Sequence, residues 1–518
     1  MSIADSPSRP RHWPLTYIFP TSSGLGGRWT TVIYGLFLAG VALWILNYLF
    51  LATARHQGDE DNYLFASKVL ANWLLQRPPV PTLAKVIDAV VDNGWFMPGM
   101  LLVTVPAFIA DPLLSAANHI WLWRLNSALL SFAVWIWTLR RVDLLLGQTF
   151  TIALLICPTL ILGWILFTST IFGEVVGGLL IAVAFAQAYR LALILLHQDR
   201  VDLATILRFE LLLLAVVYVR GNAIVLVFAI HVFLAVMVLL ADRREFVLRN
   251  LSNSLAGVLV FAALLAPWSL LVSSKLGGPV LTTSTLTLSL GITFGGANQI
   301  CFGPCPGDNT WREAVKFSRE YGRAHQISEL EAQKLMTDYA LRNVTYTSYM
   351  KRVAHNFRSF LSTPTAFFDR FASGVKSITD KDVLAALSDL VKYASLAVYV
   401  PVILLLLCAN VWIVTPRNLE MQVMSLCVKL FTLCIFVQPF LHPSHARYWP
   451  LFAPLMGLSA AFLFNLAFAR RLGPAGVFPD LAAASVRPRV GTFLLVVQAL
   501  YSAMFILMAF QICCFLIA

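Results

Sequence analysis

Apolar runs of about twenty residues recur along the chain from Trp29 onward, and no other feature restricts the fold as strongly. A run of that length is what an α-helix needs to cross the ~30 Å hydrocarbon core of a bilayer. In that core only helices and closed barrels satisfy every backbone polar group. Such runs fall near 30–53, 117–139, 148–168, 173–196, 203–219, 222–241, 252–272, 391–413, 421–439, 449–468 and 492–516. Charged residues make up 12% of the chain and hydrophobic ones 59%, whereas a soluble domain carries ~25% charge. That contrast excludes a water-soluble globule, a coiled coil and a disordered chain. The expected class is an all-α polytopic membrane protein.

Two details refine the topology. The first run has no small-residue cleavage site after it and reads as an uncleaved anchor. The block Trp95–Ala110 is short and carries Pro98 and Pro106, so it is expected to lie at the outer interface or dip in. With Arg9, Arg11 and Arg28 placed in the cytoplasm, eleven crossings also place Arg140-Arg141, Arg190 to Arg200, Arg243-Arg244-Arg249, Arg417 and Arg470 to Arg489 there. The net charge of +12 is then a topology signal and does not imply nucleic acid. The expected organisation is a cytoplasmic tail (1–28) and an N-terminal transmembrane catalytic module (29–272) with an outer loop (54–94). An outer, amphipathic helical region (273–390) and C-terminal transmembrane helices (391–518) follow. Of the eight cysteines, Cys301 and Cys305 alone sit in a polar loop, where a local disulfide is plausible if the loop faces an oxidising compartment.

Against so apolar a background, a few polar residues stand out. Asp59, Glu60 and Asp61 follow the first run directly, with Tyr63 close behind. Acids at a membrane boundary are costly unless water, metal or substrate engages them. Glu174 is the only acid between Asp143 and Asp199 and falls in the turn Phe167–Glu174 between two apolar runs. Two carboxylates converging from separate loops suit general-base or metal-assisted chemistry. Arg220 and Arg447 are the only arginines in the short outer turns, the second in His442-Pro443-Ser444-His445-Ala446-Arg447-Tyr448. An anionic group such as a phosphate would explain both. The bland alternatives are a solvated stop-transfer loop, a carboxylate opposing a helix dipole and arginines snorkelling to lipid phosphates.

The order of these residues resembles the GT-C class of lipid-linked-sugar glycosyltransferases. It is closest to members related to protein O-mannosyltransferases and the lipid A aminoarabinose transferase. The features that carry the resemblance are the acidic first loop, the interfacial block, the second-loop carboxylate, Ala266-Pro267-Trp268, Gly277-Gly278-Pro279-Val280, Tyr339-Ala340-Leu341-Arg342-Asn343 and Ala446-Arg447-Tyr448-Trp449-Pro450. It implies a bundle of about eleven or twelve transmembrane helices with a periplasmic helical insertion, in a bacterial inner membrane. The implied reaction moves a sugar from a polyprenyl-phosphate donor to a glycolipid, polysaccharide or protein acceptor. Asp59 would be the general base, with Glu60 beside it, and Glu174 would orient the acceptor or a metal. Arg220, Arg447, His442 and His445 would bind the donor phosphate, and Tyr63 and Tyr448 would position substrate. A divalent metal stays open, and membrane lipids are partners. The basic Pro-Pro motif common at the end of the family's first loop is absent, since that region reads Asn93-Gly94-Trp95-Phe96-Met97-Pro98-Gly99. Two other functions compete, a surface-polysaccharide polymerase or ligase, and a lipid or sugar transporter.

Overall fold

Helix is the only regular structure among the residues that the computed structural model describes. These are 27–51, 60–92, 94–110, 119–160, 162–196, 201–240, 244–295, 299–361, 381–416, 418–443, 446–472 and 488–517. The first part contains α1 (Gly27–Leu51), α2 (Glu60–Leu74), α3 (Leu83–Val91), α4 (Leu101–Ala110), α5 (His119–Leu146), α6 (Gln148–Leu160), α7 (Leu162–Ile165) and α8 (Glu174–Leu196). Then come α9 (Leu203–Val219), α10 (Ile224–Leu239) and α11 (Arg244–Leu276), followed by α12 (Thr285–Phe294), α13 (Thr310–His325), α14 (Glu329–Leu341) and α15 (Tyr346–Phe360). The chain closes with α16 (Lys381–Val411), α17 (Leu419–Phe436), α18 (Gln438–Leu441), α19 (Ala453–Leu472) and α20 (Pro488–Ile517).

Seven described stretches are long and apolar enough to cross a membrane: Thr31–Leu49, Glu174–Leu196, Gly221–Leu239, Glu245–Leu276, Lys392–Val411, Leu419–Leu441 and Arg489–Ile517. The chain is therefore an all-α polytopic membrane protein. The other four expected spans are helical but fall short of that standard for identifiable reasons. The 117–139 run lies in α5, which carries Arg124, Arg140, Arg141 and Asp143. In the 148–168 run the described helix is α6 and α7, with residue 161 outside the described residues, and it ends at Ile165, where the turn to α8 begins. Helix α9 has 17 residues and includes Arg208 and Glu210. The last run opens with a 3₁₀ turn, Ala446–Leu451, before α19 begins. The 95–110 block contains a 3₁₀ turn at Pro98–Met100 and the ten-residue α4. At 1.5 Å per residue α4 is about 15 Å long, half of a span.

Helix α8 is the axis of the bundle, with all but a few of its residues buried. It packs on α5, α9, α10, α17 and α19. Trp44, Trp135 and Trp164 from α1, α5 and α7 form one aromatic knot, with ring centroids 5.0 and 5.7 Å from Trp44. By contrast α20 turns large apolar side chains outward, among them Met504, Leu507 and Phe510, as a lipid-facing helix does. The acid inside α9 has a partner: Glu210 Oε1 lies 2.9 Å from His231 Nε2 on α10. Such an interhelical bond removes two polar groups from hydrocarbon at once.

The short helices α13, α14 and α15, which are not among the seven apolar stretches, rely on caps, because propensity and packing alone support short helices poorly. Asn309, Ser328 and Thr345 accept from Arg312 N, Glu331 N and Ser348 N at the starts of α13, α14 and α15. Cys301 and Cys305 are joined by a disulfide. Phe302 between them packs against Phe317, Tyr321 and Tyr339. Arg319 of α13 ties this unit together by donating from Nε to Glu329 at 3.2 Å and from Nη2 to Asp92 O at 3.3 Å. Lys275 Nζ reaches Asp88 Oδ1 at 3.1 Å.

Burial raises the Glu329 pKa above its ordinary value, and the pairing with Arg319 offsets this only in part. A raised folded-state value means that the folded protein holds this proton more tightly than the unfolded chain. The associated stability is fully present below the unfolded value and is lost as pH rises through the folded one. Thermal unfolding of the purified chain between about pH 4 and about pH 7 should show this decline. Glu329→Gln should flatten it.

Candidate functional site

The site is built on a turn that hydrophobicity alone would not bury. Residues Leu166 to Gly173 connect α7 to α8 and are all buried. A buried turn must find partners for its backbone groups, and here side chains supply them. Ser127 donates to Thr168 O at 3.3 Å and also to Thr170 O. Ser131 donates to Thr168 O at 3.1 Å. Arg124 Nη1 donates to Ser169 O at 3.1 Å, and Ile171 N donates to Glu60 Oε1 at 3.4 Å. Asn47 Nδ2 donates to Thr168 Oγ1 at 3.0 Å. Arg220 Nη1 donates to Phe172 O at 3.1 Å. Gly173, with φ +78°, makes the last bend before α8, in a region that favours glycine.

That bend delivers Glu174, the first residue of α8, to Arg220 at the end of α9. Glu174 Oε1 and Arg220 Nη1 are 3.1 Å apart, and the Glu174 side chain is 1% exposed. The Arg220 guanidinium lies 5.6 Å from the centroid of the Tyr448 ring. Close approach of the backbone makes the junction tight. A Cβ on Gly178 would meet Leu451 O at 2.8 Å and Pro450 O at 2.9 Å, so only glycine lets α8 and the 446–451 turn meet there.

Above the pair opens a cavity of about 560 Å³, within the usual range for small-ligand sites. Tyr63, Glu174, Arg220, His442 and Tyr448 all line it. Its rim is aromatic. Trp95 meets Trp311 edge-on at 5.5 Å, Trp311 stacks on His442 at 5.7 Å, and His442 meets Tyr448 edge-on at 5.6 Å. Tyr63 packs against Phe96 at 5.1 Å. Ile181, Ile224, Leu226, Ile435, Leu441 and Leu451 add apolar side chains to the lining. The cavity thus offers both charged and apolar surface to a ligand.

Glu60 stands elsewhere. It is fully buried, lies outside the cavity wall, and faces Arg124 with Oε2 3.6 Å from Nη2. Its position supports the turn from behind. Asp59 and His445 lie outside the described residues, and Arg447 lies on the 3₁₀ turn Ala446–Leu451. Among the described residues no three His, Cys, Asp or Glu side chains come together as a metal site.

Sequence reasoning passed over Arg124, Trp95 and Trp311. Arg124 did carry a signal, as the only charge in the first five turns of α5. Trp95 and Trp311 carried none, since a tryptophan in an interfacial block or an amphipathic helix is ordinary. Neither a protein-family model nor a curated protein sequence matches the chain.

Proposed function

We propose that the chain is a membrane-embedded glycosyltransferase that takes a sugar from a polyprenyl-phosphate donor and passes it to a hydroxyl acceptor. The observation that supports this reading is one cavity lined by the Glu174–Arg220 pair, by aromatic rings and by apolar side chains. A lipid-linked sugar has those same three parts, an anionic phosphate, a sugar ring and a hydrocarbon tail. In this reading the GT-C resemblance extends to the bundle and to a periplasmic active site in a bacterial inner membrane.

Chemically, Asp59 takes the proton from the acceptor hydroxyl. The acceptor oxygen attacks the anomeric carbon, the bond from that carbon to the phosphate oxygen breaks, and polyprenyl phosphate leaves with the electron pair. The sugar inverts, because one base and one in-line displacement suffice. Arg220 pairs the charge that develops on the leaving phosphate. Its Nη1 is committed to Glu174 and Phe172 O, while Nη2 makes no hydrogen bond to a described residue. Glu174 holds the guanidinium in place and orients the acceptor.

The test uses membranes containing the chain, supplied with labelled polyprenyl-phosphate-linked sugars, with release of polyprenyl phosphate as the readout. Asp59→Asn is expected to lower the rate by about 10²–10⁴-fold at unchanged protein level. Full activity in that variant removes Asp59 from the reaction.

A further inference from the structure

Helix α15 lies where two membrane-spanning helices meet the cavity-side surface. At its start, Gln511 of α20 donates to Tyr346 Oη, and Phe515 packs on the Tyr346 ring at 6.4 Å. From Val490, next to the boundary residue Arg489, to Gln511 is about 32 Å of helix, close to the ~30 Å hydrocarbon thickness. Tyr346 therefore packs against α20 about one hydrocarbon thickness from Arg489. At its end, Tyr399 of α16 donates to Leu361 O at 2.8 Å. Tyr399 is about 10 Å of helix from Lys392, where the apolar span of α16 begins. Each end of α15 is thus tied to a spanning helix within about 10 Å of the end of that helix's apolar stretch.

Its two faces differ sharply. Met350, Val353, Ala354, Phe357 and Phe360 are buried. Lys351, Arg352, His355 and Arg358 are exposed, and the helix contains no acid. None of Lys351, Arg352 and Arg358 forms an ion pair with a described residue. A helix at the membrane surface with an apolar inner face and an outer face that is basic and free of acids is complementary to anionic headgroups.

We infer that the exposed face of α15 binds the headgroups of anionic phospholipids in the surrounding bilayer through Lys351, Arg352 and Arg358. This rests on the membrane-spanning helices alone and stands whether or not the chain transfers a sugar. It also reaches the cavity. Asn356 Nδ2 donates to Pro439 O at 2.9 Å and to His442 O at 3.3 Å, and Tyr349 Oη donates to Phe440 O at 3.0 Å. Headgroup binding thereby steadies the segment that presents His442.

The experiment is hydrogen–deuterium exchange on the full chain in nanodiscs of phosphatidylcholine alone or with 30% phosphatidylglycerol. Amide exchange over Tyr346–Phe360 is expected to slow by about fivefold or more in the anionic discs, the effect of one basic residue at such a surface. The difference should vanish in 0.5 M salt and in the triple variant Lys351→Gln, Arg352→Gln, Arg358→Gln. The variant Lys351→Arg, Arg352→Lys, Arg358→Lys should retain it. Unchanged exchange in α8 controls for folding. Equal exchange in both discs overturns the inference, as does the same slowing in the Gln variant. So does slowing produced by soluble pyrophosphate but not by the anionic lipid.

Discussion

Arg220→Ala is expected to lower sugar transfer by about 10²–10³-fold, the loss typical when one preorganised donor to a developing negative charge is removed. The size follows from where Arg220 sits. Its guanidinium lines the cavity while Nη1 is anchored by Glu174 and Phe172 O, so no reorganisation is needed as the phosphate departs. Glu174→Gln should give a loss of the same order, because it frees the guanidinium and withdraws a carboxylate from the acceptor. Arg220→Lys should recover little. A lysine offers a point charge and cannot span Glu174, Phe172 O and a phosphate together. Initial rates of polyprenyl-phosphate release at matched protein levels check all three variants. A variant that keeps more than about half the rate removes its residue from the transfer step, since a donor to the reacting charge cannot be lost at so small a penalty.

The second large effect concerns folding. Glu60 and Arg124 are both fully buried and face each other at 3.6 Å, while each also holds the Leu166–Gly173 turn. Removing one partner leaves a buried uncompensated charge, which costs about 3–5 kcal/mol. Glu60→Leu and Arg124→Leu should each abolish most of the monodisperse protein obtained in detergent. Glu60→Leu combined with Arg124→Met should recover part of it, because an apolar pair removes the unpaired charge, although the turn still loses two hydrogen bonds. Size-exclusion profiles of the three variants decide the matter. If Glu60→Leu folds as well as wild type, the pair does not support the turn.

Much of the fold could be read from the sequence because a bilayer leaves so few solutions. Apolar runs at 173–196 and 222–241 became α8 and α10 with nearly the same bounds. Counting crossings was harder. Charges such as Arg124 and Asp143 in α5 are tolerated where neighbouring helices bury them, and hydropathy does not register neighbours. The site was legible in part. Glu174 and Arg220 were conspicuous as isolated charges, and they meet at 3.1 Å. Glu60 was conspicuous as one of three consecutive acids at a membrane boundary yet faces Arg124, because such a position marks a charge in need of a partner without saying whether a ligand or the protein supplies it. Trp95 and Trp311 come together across a sequence separation of 216, a proximity that no local pattern encodes.

A sugar-transfer site at the cavity must leave a trace in the glycans or lipids that the cell makes. Mass spectrometry of surface glycans and lipids from a strain lacking the chain tests this most directly, with wild-type and Arg220→Ala copies restored separately. The expected result is a glycan or glycolipid lighter by one sugar in the deletion, restored by wild type and not by Arg220→Ala. Glycans and lipids unchanged by the deletion, or restored equally by both copies, would contradict it.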